Sequence, residues 1–161
     1  MYLPLLADIL DVLRWAREHN FPWSENTCRS AAAGGHLEVL RWAREHHCPW
    51  DEIPCATGAY NGHLDVLRWA QEHHCPWDEG TCAHAAAGGN LDALKWAREH
   101  GCPWSTNTCE YAAVCDPLEV LRWVMEHGAP FNLARLKWYE HLLRGEPNAM
   151  DVERLYAGRG V

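Results

Sequence analysis

A chain of 161 residues with a net charge of −8 is long enough to bury a sizeable core. Its charge does not draw it to nucleic acid or to an anionic membrane. No basic segment leads a long apolar core and no run of about 18 apolar residues is present, so the expectation is a soluble, unexported protein.

The predicted elements follow a repeat. Pro22, Pro49, Pro76, Pro103 and Pro130 stand 27 positions apart, as do Trp15, Trp42, Trp69, Trp96 and Trp123. The chain opens on a helix over 10–19, with residues 1–6 supplying only a stub before it, so the first unit is a cap or cut short. Ser24, Asp51, Asp78 and Ser105 then each offer a short oxygen-bearing N-cap to a first helix. Within that helix Cys82, Ala85 and Ala86, and their copies, are spaced i, i+3, i+4 and make a narrow face of small residues. Gly34-Gly35, Asn61-Gly62 and Gly88-Gly89 end it with C-cap chemistry.

Second helices follow over 37–46, 64–73, 91–100 and 118–127. Leu91, Leu94, Trp96 and Ala97 are too many apolar positions for one exposed stripe, so such a helix is covered both by its partner and by the next unit. A proline connection, Cys-Pro-Trp after the first three, stops each one and leads to the next unit; Trp42 and its copies are expected in the second-helix core, and Trp50 and its copies to brace the turn between units. At the C-terminus 133–143 predicts a longer first helix, Gly145-Glu146-Pro147 a turn and 150–157 a degraded second helix with Glu153 at the core leucine. That pattern reads as a cap, with a frayed tail from Gly158. The units are about 1–21, 22–48, 49–75, 76–102, 103–129 and the cap 130–161, within one repeat domain.

The stretch TCAHAAAGGNLDALKWAREHG resembles the ankyrin repeat, with Gly35-His36-Leu37 and Gly62-His63-Leu64 matching its middle motif and His127-Gly128-Ala129 its end. Ankyrin units run to about 33 residues, so the hairpin finger between repeats is shortened here to the Cys-Pro-Trp turn. This short, Trp-rich form is similar to the ankyrin-like repeats common in giant DNA viruses and some protists. The resemblance implies an all-α, helix-turn-helix solenoid that works as a protein-interaction module. With the fingers mostly missing, the binding surface is expected on the helices.

Comparison of the units with one another separates two sets of positions. Cys28, Cys55, Cys82 and Cys109 never vary. Four other columns do: Asn26, Ile53, Gly80, Asn107; Arg29, Ala56, Ala83, Glu110; Ser30, Thr57, His84, Tyr111; and Ala33, Tyr60, Ala87, Val114. They are spaced i, i+3, i+4 and i+7, one face of one helix. The partner-binding candidates are therefore Arg29, Ile53, Thr57, Tyr60, His84, Glu110 and Tyr111, with Tyr60, His84 and Tyr111 as anchors. The expected partner is another protein, bound by a monomer on the concave, first-helix face; the bland alternative is drift on an unselected solvent face. A second reading makes the array a spacer or adaptor fragment of a larger protein, and a third gives it a metal-binding or thiol-redox role.

Other chemistry is weaker. HHCPW at 46–50 and 73–77 combines His and Cys, but no C-x-x-C accompanies it, and neither metal nor any other cofactor is expected. Every Cys–His relation recurs along the chain, whereas a catalytic site is unique, so no enzyme and no catalytic residue is expected. Arg14, Arg41, Arg68, Lys95 and Arg122 each have an acid three residues earlier, which accounts for the basic series without nucleic acid. Copies of one cysteine position lie about 10 Å apart in stacked helices, beyond disulfide reach. Reduced thiols in the cytosol or nucleus follow, in a host cell if the source is viral.

Overall fold

The computed structural model of this chain describes residues 5–22, 24–114 and 118–132. Among these residues it is all-helical: α1 (Leu5–Glu18), α2 (Glu25–Ala33), α3 (Leu37–Glu45), α4 (Ile53–Tyr60), α5 (Leu64–Glu72), α6 (Glu79–Ala87), α7 (Leu91–Glu99), α8 (Thr106–Val114) and α9 (Leu118–Glu126). Of the C-terminal cap expected over 130–161, residues 133–161 lie outside the described residues, as do Cys115, Asp116 and Pro117. At the N-terminus residues 5–9 lengthen α1, where a separate stub was expected.

Helix ends follow one backbone device. After α7 the Gly101 N–H donates to Arg98 O (3.1 Å) and the Cys102 N–H to Ala97 O (3.0 Å), the paired bonds of a Schellman cap. After α6 Gly89 and Asn90 bond to Ala86 O and Ala85 O in the same way (both 3.0 Å). The residue that turns the chain has positive φ in each case, 70° at Gly89 and 83° at Gly101. His47 and His74 hold the same post-helix slot at 62° and 59°.

N-caps are less uniform than the sequence pattern. Asp78 accepts from the Gly80 N–H (2.8 Å) and Asp51 from the Ile53 N–H (3.0 Å). Ser24 precedes α2 without a side-chain cap bond. Before α8 the direction is reversed, with the Ser105 N–H donating to Thr108 Oγ1 (3.3 Å).

The even-numbered helices pack in series, α2 on α4, α4 on α6 and α6 on α8. Each odd-numbered helix from α3 onward packs on the even one before it. Leu40, Leu67 and Leu94 are fully buried at the centre of the odd helices, and Leu121 nearly so. Burial of a leucine side chain contributes roughly 1.5–3 kcal/mol, so this column is the chief apolar term of each helix pair. Small residues do the corresponding work in the even helices, where Cys55, Ala59, Cys82, Ala85 and Ala86 are all fully buried.

Adjacent pairs are also tied by hydrogen bonds. His63 Nε2 donates to Ala33 O (3.1 Å), and Asn90 Nδ2 to Tyr60 O (2.6 Å) and Ala59 O (3.3 Å). Each side chain satisfies a carbonyl left open at the end of the preceding even helix. The residue after the glycine pair therefore has a task beyond its own turn.

Tryptophan placement corrects one expectation. The series of Trp42 was assigned to the second-helix core, yet Trp42, Trp69, Trp96 and Trp123 are half-buried and Trp15 is 53% exposed. Leucine and alanine fill the core, and each of these indoles instead packs against the histidine four residues on, with ring centroids 4.1–4.3 Å apart. That histidine donates Nδ1–H to the tryptophan carbonyl (2.8 Å in each case). The tryptophans of the Cys-Pro-Trp turns meet the odd helix of their own unit, Trp50 on Trp69, Trp77 on Trp96 and Trp104 on Trp123 at 5.8–5.9 Å, while Arg44 and Arg98 of the preceding units lie over Trp50 and Trp104.

Candidate partner-binding face

Three of the four variable columns reach the outer side of the even helices. Asn26, Ser30, Asn107 and Tyr111 are exposed, as are Tyr60 and His84, and Ile53 and Thr57 are half-buried. Tyr60 keeps 47% of its surface in solvent, Tyr111 43% and Val114 60%.

Local chemistry fixes several of these side chains. His84 donates Nδ1–H to Gly80 O one turn earlier (2.7 Å), which leaves Nε2 outward. Its ring meets Tyr111 of the next even helix edge-on, with centroids 6.5 Å apart. The Thr57 hydroxyl donates back to Ile53 O (2.8 Å), so it is engaged within α4. Asn61 Nδ2 donates to Thr57 O (2.9 Å) and closes the end of the same helix beside Tyr60.

The column spaced i+3 does not belong to this face. Glu110 is only 7% exposed, so its assignment to the surface is corrected. Ala56 at 7% and Ala83 at 2% show the cause, because this side of each even helix is covered where even helices pack in series. Arg29 is exposed in α2, the first even helix of the series, and so lies at the edge of the face. The face narrows to the columns of Asn26, Ser30 and Ala33, with Tyr60, His84, Tyr111 and Val114 as its large exposed groups.

The opposite side of the molecule carries the basic series. Arg14 pairs with Asp11 (3.6 Å) and Arg41 with Glu38 (3.3 Å), both at i,i+3. Arg44 lies over Trp50 at 4.3 Å and Arg98 over Trp104 at 4.7 Å, and both donate to the carbonyl of the cysteine that follows their helix. An open groove of about 600 Å³ runs between α3 and α5, lined by Arg41, Arg44, Glu45, Trp69, Glu72, His73 and His74. Its charges are mixed, which gives no preference for a polyanion.

The cysteines are all reduced and buried among the described residues. No cluster of three or more His, Cys, Asp or Glu side chains there is arranged to hold a metal ion. The thiols nevertheless meet in pairs across the two series, Cys28 with Cys48, Cys55 with Cys75 and Cys82 with Cys102, each sharing a side-chain hydrogen bond. Comparing copies of one position conceals this, whereas the constant separation of 20 residues between the two series is the signal that could have found it. Burial and the shared bond push the Cys28 thiol up, and for Cys55 and Cys82 the shared bond is the larger cause.

No helix among the described residues is long and apolar enough to cross a membrane. Comparison with protein-family models and with curated proteins finds no match to this chain.

Proposed function

We propose that this chain is a non-enzymatic protein-interaction module, a short ankyrin-like helix-turn-helix solenoid that holds a partner protein on the concave face of its first helices. One observation carries the reading. Tyr60, His84 and Tyr111 stand exposed on successive even helices at positions that differ from unit to unit, while the positions behind them stay small and buried. Tyrosine offers a large, rigid contact area with a polar tip, the chemistry of interface anchors. The 27-residue recurrence of helix pairs and the carbonyl ties from His63 and Asn90 support a stack, since each pair leans on its neighbour.

Affinity capture from lysate of the natural source or host tests this under reducing conditions, with wild type compared against a Tyr60→Ala, His84→Ala, Tyr111→Ala variant. A protein held by the wild type and lost by the variant is the expected result. Once purified, that partner should bind the variant roughly a hundredfold or more weakly, the scale of losing hot-spot anchors. Equal recovery by both forms would place binding elsewhere.

A further inference from the structure

The paired thiols are the feature that a partner-binding role leaves unused. Each pair joins the first turns of an even helix to the Cys-Pro-Trp connection that closes the same unit. Cys102 Sγ donates to Asp78 O (3.2 Å), Cys75 Sγ to Asp51 O (3.3 Å) and Cys48 Sγ to Ser24 O (3.6 Å), so the second thiol of each pair is anchored at the start of the even helix. The first thiol sits one turn further in, and Cys82 Sγ also reaches Cys102 O at 3.9 Å. In two units a guanidinium flanks the pair, since Arg44 and Arg98 donate to Cys48 O and Cys102 O. Gln71 occupies that slot beside Cys55 and Cys75.

We propose that the three thiol pairs are oxidative modification sites, at which a peroxide converts the two pairs flanked by a guanidinium, Cys82–Cys102 and Cys28–Cys48, into disulfides within single units before Cys55–Cys75. The order follows from the charges around each pair. Arg98 and Arg44 donate to the Cys102 and Cys48 carbonyls and their charge favours a thiolate in those two pairs, and the hydrogen bond from Cys82 also pulls the Cys102 thiol down. Arg44 acts in the same sense on Cys28, whereas among the described residues no cation shifts the Cys55 thiol.

The chemistry balances in two steps. The Cys102 thiolate attacks one peroxide oxygen, the O–O bond breaks, and a sulfenic acid and hydroxide form; the hydroxide takes up the proton that the thiol released, giving water. Cys82 then attacks the sulfenic sulfur, its proton leaves with the hydroxyl as a second water, and the S–S bond closes. One peroxide is reduced and two thiols are oxidised. Both sulfurs are buried, so oxidant enters when the helix-free connection around Cys102-Pro103-Trp104 opens locally.

The test uses the full chain and hydrogen peroxide, with thiols counted after quenching and denaturation and bridges mapped by peptide mass. The expected result is a monomer that gains the Cys82–Cys102 and Cys28–Cys48 bridges before Cys55–Cys75, keeps its helical circular dichroism, melts at a higher temperature and reverts with dithiothreitol. A Cys102→Ala variant should lose the Cys82–Cys102 bridge alone and still form the other two. Should that variant fail to fold, the bridge map and order in the wild type decide alone. Absence of the Cys82–Cys102 bridge at peroxide levels that oxidise the urea-unfolded chain would overturn the proposal, as would bridges between units or between chains.

Discussion

The even-numbered and odd-numbered helices bury different side chains and expose different ones. Odd helices bury leucine and present a tryptophan and a histidine, stacked with nearly the same geometry from α1 to α9. Even helices bury alanine and cysteine and present groups that change along the chain, from Ser30 through Thr57 and His84 to Tyr111. Both sides carry exposed aromatic rings, so exposure alone does not distinguish them. The repeated ring has a structural partner four residues away, while among the rings that change His84 and Tyr111 meet across two units and Tyr60 stands exposed.

If burial of leucine carries the odd layer, the largest effect should come from removing one. Leu67 is fully buried within the main core cluster, and Leu67→Ala should cost about 2–5 kcal/mol in urea unfolding. A loss below about 1 kcal/mol would mean that alanine and cysteine contacts carry both layers.

The thiols that join the layers make a second difference measurable through pH. Folding raises the Cys28 and Cys55 thiols above their ordinary 9.0. Below that value both states stay protonated and stability is intact; above it the unfolded chain releases protons that the folded chain retains, so stability falls as pH rises. By pH 10 the loss should reach about 1 kcal/mol for each of these two thiols. Denaturant midpoints between pH 8 and pH 10 would show it, and a Cys28→Ala, Cys55→Ala variant should flatten the slope. An unchanged slope in that variant would assign the alkaline loss to other groups.

Much of this architecture is legible because each requirement is repeated. Leucine spacing, paired glycines and the Pro at the connection mark helix bounds that agree with the observed ones to within a residue or two over 24–127. What the pattern conceals are relations between different positions. Glu110 shares a helical face with Tyr111's column on a wheel, yet the neighbouring even helix covers it, because lateral packing depends on a partner that a wheel does not include. The thiol pairs are hidden in the same way, as is the role of His63 and Asn90 toward the preceding unit. Trp42 and its copies were placed too deep because an indole is large, whereas the odd helices approach closely enough for leucine and alanine to fill the space.

A third prediction probes how closely the even layer is packed. A Cβ on Gly88 would lie 1.8 Å from Tyr60 O and 2.7 Å from Asn90 Nδ2. Backbone cannot yield as a flexible side chain can, so Gly88→Ala should destabilise by about 1–3 kcal/mol. The equivalent slot one unit earlier holds Asn61, where the tie to the preceding carbonyl comes from the longer His63. Adding Asn90→His to Gly88→Ala should therefore recover part of the loss. Additive costs in a double-mutant cycle would show that the tie does not set the spacing.

The smallest effect expected is a gain. His74 has φ 59° and Gly101, in the equivalent position, 83°. A side chain in the left-handed region costs about 1–2 kcal/mol, offset partly by the greater freedom that glycine gives the unfolded chain, about 0.4–1 kcal/mol. His74→Gly should then raise stability by about 0.5–1 kcal/mol, and Gly101→Ala should lower it by a similar amount. The second substitution isolates backbone strain, because nothing lies within 4 Å of a Cβ at position 101. His74 also lines the groove beside Trp69 and His73, so a loss on His74→Gly, together with the expected loss at position 101, would show that its imidazole stabilises the odd-helix side by more than the strain it carries.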